Sequence, residues 1–258
     1  MTELAVFDKQ IRRAKAILEG WGGAVEHLQV PFTTREEIES FKRRVGLAQR
    51  KEGKPTIVMA EDTAVELGHP RDTSINLVLW TFNPELIEDR TIHLYGPDLD
   101  KTNGARLPYA QIILLALKKG FSVDPFSLES AQFLSNRLPG YMVRMLPGRL
   151  WVRVSRQALL DGLNFSVLGG ALIAAYYDDF PGVEKAEVAF VTAGNDMVKE
   201  FVSIAAETKI IAGNNKKLTL VGDGEYECED LNCDDCGERE VCDDIRDIII
   251  LRRKGKKE

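Results

Sequence analysis

The sequence predicts an α/β or α+β fold in which a mixed sheet with flanking helices is preceded by N-terminal helices and followed by a C-terminal cysteine-rich metal loop. Short segments rich in branched apolar residues alternate with segments of helical periodicity through the middle of the chain. Glycine and proline mark the boundaries between these segments. All four cysteines lie within fifteen residues near the C-terminus.

Two helices are predicted at the N-terminus. Apolar residues recur at a helical spacing over residues 4–18, and the Gly-Trp-Gly-Gly sequence at residues 20–23 ends this helix. Thr34 and Glu37 form a capping box that predicts a second helix over residues 36–50.

From residue 55 the pattern changes to strands that alternate with helices. Strands are predicted at residues 56–60, 74–82, 91–95, 149–155 and 185–192, and helices at residues 109–119, 157–162, 167–177, 196–212 and 243–251. We therefore divide the chain into an N-terminal helical segment (residues 1–54), an α/β domain (residues 55–222) and a cysteine-rich motif with a terminal helix (residues 223–258).

Composition excludes several classes of protein. The chain has 258 residues, of which 44% are hydrophobic, as is ordinary for a soluble domain. Its longest apolar run, residues 171–177, is far shorter than the roughly 20 residues that span a bilayer, so no membrane association is expected. The net charge of −6 is concentrated around the cysteines, and the short basic tail does not indicate nucleic-acid binding. The start of the chain carries no secretory leader, which predicts a cytoplasmic protein.

The cysteines form the first candidate site. Their spacing, C-x4-C-x2-C-x5-C, begins like that of plant-type ferredoxins and favours an iron–sulfur cluster. Zinc is the alternative, although a four-cysteine zinc site usually has two C-x2-C knuckles and this chain has one. Free thiols rank third, and disulfides rank last in a reducing cytosol. We predict that one metal or cluster is bound by Cys228, Cys233, Cys236 and Cys242.

A series of arginines forms the second candidate site. Guanidinium groups bind phosphates bidentately and aromatic faces stack on bases, so this series predicts binding of a nucleotide-bearing cofactor. The alternative is that Arg149 and Arg153, which alternate with apolar residues, simply face solvent from a strand. The residues of this site are Arg137, Arg144, Arg149, Trp151, Arg153 and Arg156.

A third constellation lies in residues 60–70. It contains Glu61, Asp62, Glu66 and His69, which could coordinate a cation or perform acid–base chemistry. The alternative is that the carboxylates cap turns and helix ends and that His69 is a hydrogen-bonded loop residue.

Five segments of the chain carry a resemblance to a known family. They are residues 60–70 (AEDTAVELGHP), 90–99 (RTIHLYGPDL), 107–115 (LPYAQIILL), 138–155 (LPGYMVRMLPGRLWVRVS) and 180–192 (FPGVEKAEVAFVT). These segments resemble the middle domain of acetyl-CoA synthase, the β subunit of the carbon monoxide dehydrogenase/acetyl-CoA synthase complex. The resemblance implies coenzyme A as the ligand of the arginine series and a cluster, expected to be 4Fe-4S, at the position of the cysteines.

The chain also departs from that family. Family members have cluster cysteines spaced C-x2-C-x8-C-x9-C and continue into a domain whose Cys-Gly-Cys binds nickel, whereas this chain stops at Glu258. If one cluster uses all four cysteines, no soft donor set remains for nickel. We therefore expect that the complete nickel site is absent, and leave open whether the chain is an enzyme.

These observations predict an iron–sulfur, coenzyme-A-binding accessory or electron-transfer component of one-carbon metabolism in an anaerobe. The expected partners are CO dehydrogenase or corrinoid protein subunits. Two alternatives stay open. One is a zinc-stabilised, non-enzymatic interaction module that docks on such a partner, and the other is a synthase subunit completed by another chain.

Overall fold

The computed structural model describes residues 6–47, 57–68, 73–102, 106–132, 135, 138–146, 149–213, 218–221 and 225–228. The chain divides into two compact units, which meet in sequence between Thr208 and Lys209. No helix in these ranges is both long enough and apolar enough to cross a membrane.

The first unit contains two sheets and the helices that cover them. Its helices are α1 (Asp8–Glu19), α2 (Arg35–Arg44), α3 (Pro125–Ser130), α4 (Arg156–Leu160), α5 (Phe165–Asp179) and α6 (Asn195–Gly213), which runs on into the second unit. Its strands are β1 (Val25–Gln29), β2 (Thr63–Leu67), β3 (Ser74–Thr81), β4 (Thr91–Tyr95), β5 (Arg106–Leu107), β6 (Tyr109–Leu117), β7 (Tyr141–Leu146), β8 (Arg149–Ser155) and β9 (Val183–Val191).

The larger sheet has five strands in the order β1-β4-β9-β6-β3. Parallel pairs (β4 with β9, β3 with β6) alternate with antiparallel pairs (β1 with β4, β6 with β9), which confirms the predicted mixed sheet with flanking helices. Helices α5 and α1 cover opposite faces of this sheet. Gly169 of α5 lies against Ile92 of β4, and Lys15 of α1 bonds Glu187 of β9. Glu187 lies on the same face as His93, which is the face opposite Ile92. The core lies between these helices and the sheet.

The helix predicted at residues 109–119 is wrong, because this segment forms β6. All nine residues of the strand are buried between β3 and β9. A strand with both faces covered is apolar at every position and has no alternating pattern, so its periodicity resembles that of a buried helix.

The other predicted elements vary in accuracy. Strand β8 has the predicted bounds, α5 and β9 differ from prediction by about two residues at their ends, and the capping box of Thr34 and Glu37 is confirmed at the start of α2. The strand predicted at residues 56–60 is wrong, since the described residues 57–62 form a loop and a turn, and β2 begins only at Thr63. Strands β1 and β7 and helix α3 were not predicted.

The smaller sheet has four strands in the order β5-β2-β8-β7. It is joined to the larger sheet by two adjacent crossings, since β2 continues into β3 while its parallel neighbour β5 continues into β6. Backbone hydrogen bonds tie the crossings together, from the Gly68 amide to the Leu107 carbonyl (2.9 Å) and from the Tyr109 amide to the Thr73 carbonyl (3.1 Å). These two bonds join the chains of the two crossings where they leave the smaller sheet and where they enter the larger one.

In the second unit, β10 (Leu218–Val221) and β11 (Glu225–Cys228) form an antiparallel hairpin. The predicted helix at residues 243–251 lies outside the described residues. The predicted division of the chain at residues 54 and 222 stays a prediction.

Candidate functional site

The smaller sheet has one apolar face and one polar face. Leu150, Val152 and Val154 of β8 are completely buried, so the residues between them lie on the opposite face of the strand. Trp151 and Arg153 occupy that polar face and are half-buried. Arg153 therefore lies on the opposite face of β8 from the buried apolar residues, as the alternation in the sequence predicts. Its side chain is nevertheless half-buried and not fully solvated.

Glu66 of β2 holds Trp151 and Arg153 in place. It lies opposite Arg153 in the strand register, and its Oε1 accepts hydrogen bonds from Trp151 Nε1 (2.9 Å) and Arg153 Nε (3.4 Å). The Arg153 guanidinium carbon also lies 4.4 Å from the centroid of the Trp151 ring system. Such a cation–π contact between partly desolvated groups stabilises the arginine in one orientation.

An open pocket of about 620 Å³ lies beside this group. Arg153, Arg156, Glu66 and Asp100 provide its charged lining, and Leu99 and Leu159 are among its apolar residues. A bulge between Thr63 and Val65 interrupts the pairing of β2 with β8, and the bulged segment forms part of the wall. The volume is within the usual range of small-molecule sites.

Arg156 lies at the start of α4 and is exposed. Its Nη1 donates a hydrogen bond to the Glu61 carbonyl (2.8 Å), and its backbone amide donates to the Asp62 carbonyl (3.0 Å). The turn before β2 is thereby tied to the end of β8. Two regions that the sequence predicts as separate sites, residues 60–66 and the arginine series, meet at one pocket.

Asp98 fixes the pocket wall that carries Leu99 and Asp100. Its Oδ1 accepts hydrogen bonds from the amides of Leu99 (2.6 Å) and Phe165 (3.0 Å), which joins the short 3-10 turn Leu99–Lys101 to the start of α5. Burial raises the pKa of Asp98 above its ordinary value, although both amide hydrogen bonds oppose that shift.

Among the other predicted residues of the arginine series, the described side chains of Arg144 and Trp151 do not line this pocket. Arg144 is exposed on β7, opposite Trp151 in the register. Arg149 lies in β8, but its side chain is outside the described residues, as is all of Arg137.

The described acids of the third constellation lie in two neighbouring elements. Glu66 contacts Trp151 and Arg153, and Glu61 and Asp62 belong to the turn before β2. His69 lies outside the described residues. Among the cysteines, only the backbone of Cys228 is described, at the end of β11 and opposite Leu218, so the predicted four-cysteine site stays a prediction.

Sequence reasoning missed Asp100 as a pocket residue, and it also missed the ionisable residues His93 and Glu187. His93 and Glu187 are buried between apolar neighbours in the sequence, Ile92 and Leu94 in β4 and Ala186 and Val188 in β9. An ionisable side chain in such a strand needs a partner, and this requirement is the signal that could have found the pair.

Comparison with known proteins gives a family match over more than half of the chain. The profile of the CO dehydrogenase/acetyl-CoA synthase complex beta subunit matches residues 44–197. This range includes the described pocket and both sheets except β1.

Individual relatives agree with this match. The chain is 31% identical over 157 residues to the acetyl-CoA decarbonylase/synthase complex subunit beta 1 of Methanosarcina thermophila, which covers 58% of this chain and 32% of the relative. It is 28% identical over 149 residues to the carbon monoxide dehydrogenase/acetyl-CoA synthase subunit alpha of Moorella thermoacetica, covering 57% of this chain and 20% of that protein. The chain thus spans about a third or less of the length of these curated relatives.

Proposed function

Because the chain belongs to the CO dehydrogenase/acetyl-CoA synthase complex beta subunit family, we propose that it acts in the acetyl-CoA pathway as a component of such a complex and binds coenzyme A in the pocket between β2, β8 and α4. The observation that carries the coenzyme A proposal is the convergence of Arg153 and Arg156 on one concave surface. Coenzyme A carries a pyrophosphate and a 3′-phosphate, and guanidinium groups bind phosphates through paired hydrogen bonds.

The contacts of the two arginines suggest different contributions to binding. The positive charge of Arg153 is partly compensated by the Glu66 carboxylate, and its guanidinium group is held in place by the Trp151 ring. The role of Arg153 would therefore be to present guanidinium hydrogens in a fixed direction. Arg156 is exposed and bonds a backbone carbonyl, so its positive charge remains available to a phosphate. We therefore assign Arg156 the larger share of the binding free energy.

Trp151 has a different role in this proposal from the one predicted. The sequence predicts that its ring stacks on the base, but one face already lies against the guanidinium of Arg153. Trp151 would instead support Arg153. The acids in the pocket, Glu66 and Asp100, would oppose an anionic ligand, and so we expect moderate affinity with a strong dependence on salt.

The second part of the proposal concerns the cysteines. We assign Cys228, Cys233, Cys236 and Cys242 to one 4Fe-4S cluster, with zinc as the alternative, on the basis of their spacing. In this role the chain would be an accessory or electron-transfer component, and its partners would be CO dehydrogenase or corrinoid protein subunits. The acidic residues around the cysteines would favour a basic partner surface.

Calorimetry with coenzyme A at low salt under anaerobic conditions tests the pocket. Charge-assisted hydrogen bonds contribute about 1.5–3 kcal/mol each, so Arg156→Ala should weaken binding by about ten- to a hundredfold. Arg144→Ala is the matched control, because Arg144 is an exposed arginine on the same sheet that does not line the pocket. Absence of binding by the wild type, or equal affinities for the wild type and Arg156→Ala, would overturn the coenzyme A assignment.

Anaerobic analysis of iron, sulfide and zinc tests the cysteine site. The wild type should contain iron and sulfide in equal amounts, and Cys236→Ser should lose nearly all of both. Zinc without iron would favour the zinc-stabilised interaction module instead. Full metal content in Cys236→Ser would show that the four cysteines do not form one site.

A further inference from the structure

A second polar cluster lies within the larger sheet, away from the pocket. His93 on β4 and Glu187 on β9 belong to the same face, because Thr91 pairs with Glu187 and His93 pairs with Ala189. Glu187 is 2% exposed and His93 is 5% exposed. Ionisable groups buried this deeply are destabilising unless each finds a partner of opposite charge or a metal ion.

The carboxylate of Glu187 is directed by its neighbours. Its Oε2 accepts hydrogen bonds from the Lys15 ammonium (2.8 Å) and from the Glu88 amide (2.7 Å). These two donors hold Oε2 in place and fix the orientation of the carboxylate. Its second oxygen, Oε1, lies 3.3 Å from Nε2 of His93.

Glu88 brings a second carboxylate to the same ring nitrogen. Its Oε2 lies 3.6 Å from His93 Nε2, and its side chain is 61% exposed. The cluster is therefore buried on the sheet side and open to solvent beside Glu88, which provides an entry path for a small ion.

His93 Nε2 is a buried atom without a hydrogen-bond partner in the described part of the chain. Both carboxylate oxygens are near it, but neither completes a hydrogen bond with it. The other ring nitrogen, Nδ1, lies 2.8 Å from Nδ1 of His27, so one of these two nitrogens donates to the other. When His93 donates to His27, its Nε2 presents a lone pair towards two carboxylates. This arrangement is repulsive unless a cation lies between the three groups.

We infer that Nε2 of His93, Oε1 of Glu187 and Oε2 of Glu88 bind a divalent transition-metal ion, with Zn²⁺ the best match. The ligand atoms of these three residues all lie within 4.8 Å of one another. Ligands about 2.0–2.2 Å from a tetrahedral zinc are separated by about 3.3–3.5 Å. The separations of 3.3 and 3.6 Å around Nε2 agree with that geometry.

The neighbouring groups agree with this assignment. A histidine that binds a metal usually donates its other ring N–H to an acceptor, and His27 Nδ1 occupies that position. Imidazole and carboxylate donors suit zinc, and three protein ligands leave a fourth position for water or another ligand. The ion would join β4 and β9 to the segment before β4. The proposed zinc ligands share no residue with the four cysteines or with the lining of the proposed coenzyme A pocket.

The test uses Zn²⁺ and Co²⁺ alone as probes of the full chain carrying Cys236→Ser, which removes one ligand of the proposed cysteine site. Competition with a chromophoric chelator measures the zinc affinity, and the cobalt spectrum reports whether thiolates are ligands. We expect one zinc per chain and a cobalt spectrum without a thiolate charge-transfer band. Glu88→Gln should weaken zinc binding by at least about tenfold, because it removes the charge of one ligand.

Glu88 is suited to this test because it is exposed, so its substitution should not impair folding. Glu85→Gln is the matched control, since Glu85 is an exposed acid three residues away that lies outside the cluster. Equal zinc affinities for the two variants, or binding only through thiolates, would overturn the inference. Histidine NMR signals that titrate with protons and do not respond to zinc would show instead that a proton occupies the site.

Discussion

Gly68→Ala should destabilise the first unit strongly, because Gly68 lies where the chain crosses from the smaller sheet to the larger one. Its φ of +66° is strained for any residue with a side chain, at about 1–2 kcal/mol. A Cβ at this position would lie 2.1 Å from the Leu150 carbonyl oxygen and 2.7 Å from Ser74 Cβ. Because the closest atom belongs to the backbone of β8, a side-chain rotation cannot relieve the overlap.

The size of the effect follows from these contacts. Relief of the overlap would move β8 away from β3 and break the hydrogen bond from the Leu150 amide to Ser74 Oγ (3.1 Å), which is worth about 1 kcal/mol. Overpacking in a buried region adds about 1–3 kcal/mol. With the strain in φ, the free energy of unfolding should fall by about 3–6 kcal/mol.

Urea unfolding followed by circular dichroism measures this change. With an m value near 3 kcal/mol/M, the midpoint should fall by about 1–2 M. Gly120→Ala is the control, since Gly120 also has a positive φ (+79°) but no atom lies within 4 Å of its Cβ position. The free energy of unfolding of Gly120→Ala should fall only by the backbone strain, about 1–2 kcal/mol. A loss in Gly68→Ala no larger than in Gly120→Ala would refute the close-approach argument.

Three further predictions concern buried groups. Tyr176→Phe should lower the free energy of unfolding by about 1 kcal/mol, because it removes the 2.8 Å hydrogen bond to the Leu128 carbonyl; an unchanged urea midpoint would contradict this. Glu187 has a pKa below its ordinary value of 4.5, so its contribution to stability is present above that pH and is lost as the pH falls through the lowered pKa. In Glu187→Gln the acid side of the stability curve should therefore be flatter, and an identical curve would rule this out. Gly170→Ala places a Cβ 2.7 Å from Phe41 Cζ and should cost about 1–3 kcal/mol, measured as a lower melting temperature, and an unchanged melting temperature would contradict this.

The accuracy of each predicted strand depended on whether one of its faces, both faces or neither face is buried. Strand β8 was predicted with its observed bounds because one face is buried and the other polar, so alternation is visible in the sequence. Strand β6 was mistaken for a helix because both of its faces are buried. Strand β1 is mostly exposed at the edge of the sheet and carries little apolar signal, which explains why it was missed.

The candidate site shows the same limit. Arg153 and Arg156 could be chosen from the sequence because arginines and aromatic residues are close together there. The proximity of these two arginines to residues 60–66 could not be predicted, because it depends on the pairing of β2 with β8, which are more than eighty residues apart in the sequence. The ion pair between Glu66 and Arg153 is likewise a consequence of strand register, which local patterns do not encode.

The position of β6 in the larger sheet has a consequence for how the chain folds as it is synthesised. Strands β3 and β6 can pair early, but the other edge of β6 is completed only by β9, more than sixty residues later in the sequence. A ribbon of β3 and β6 that formed before β9 is synthesised would have an apolar, unpaired edge. Such edges promote association between chains, and sheets closed by distant segments form slowly. Production of the protein should therefore depend on chaperones that bind the nascent chain during this interval.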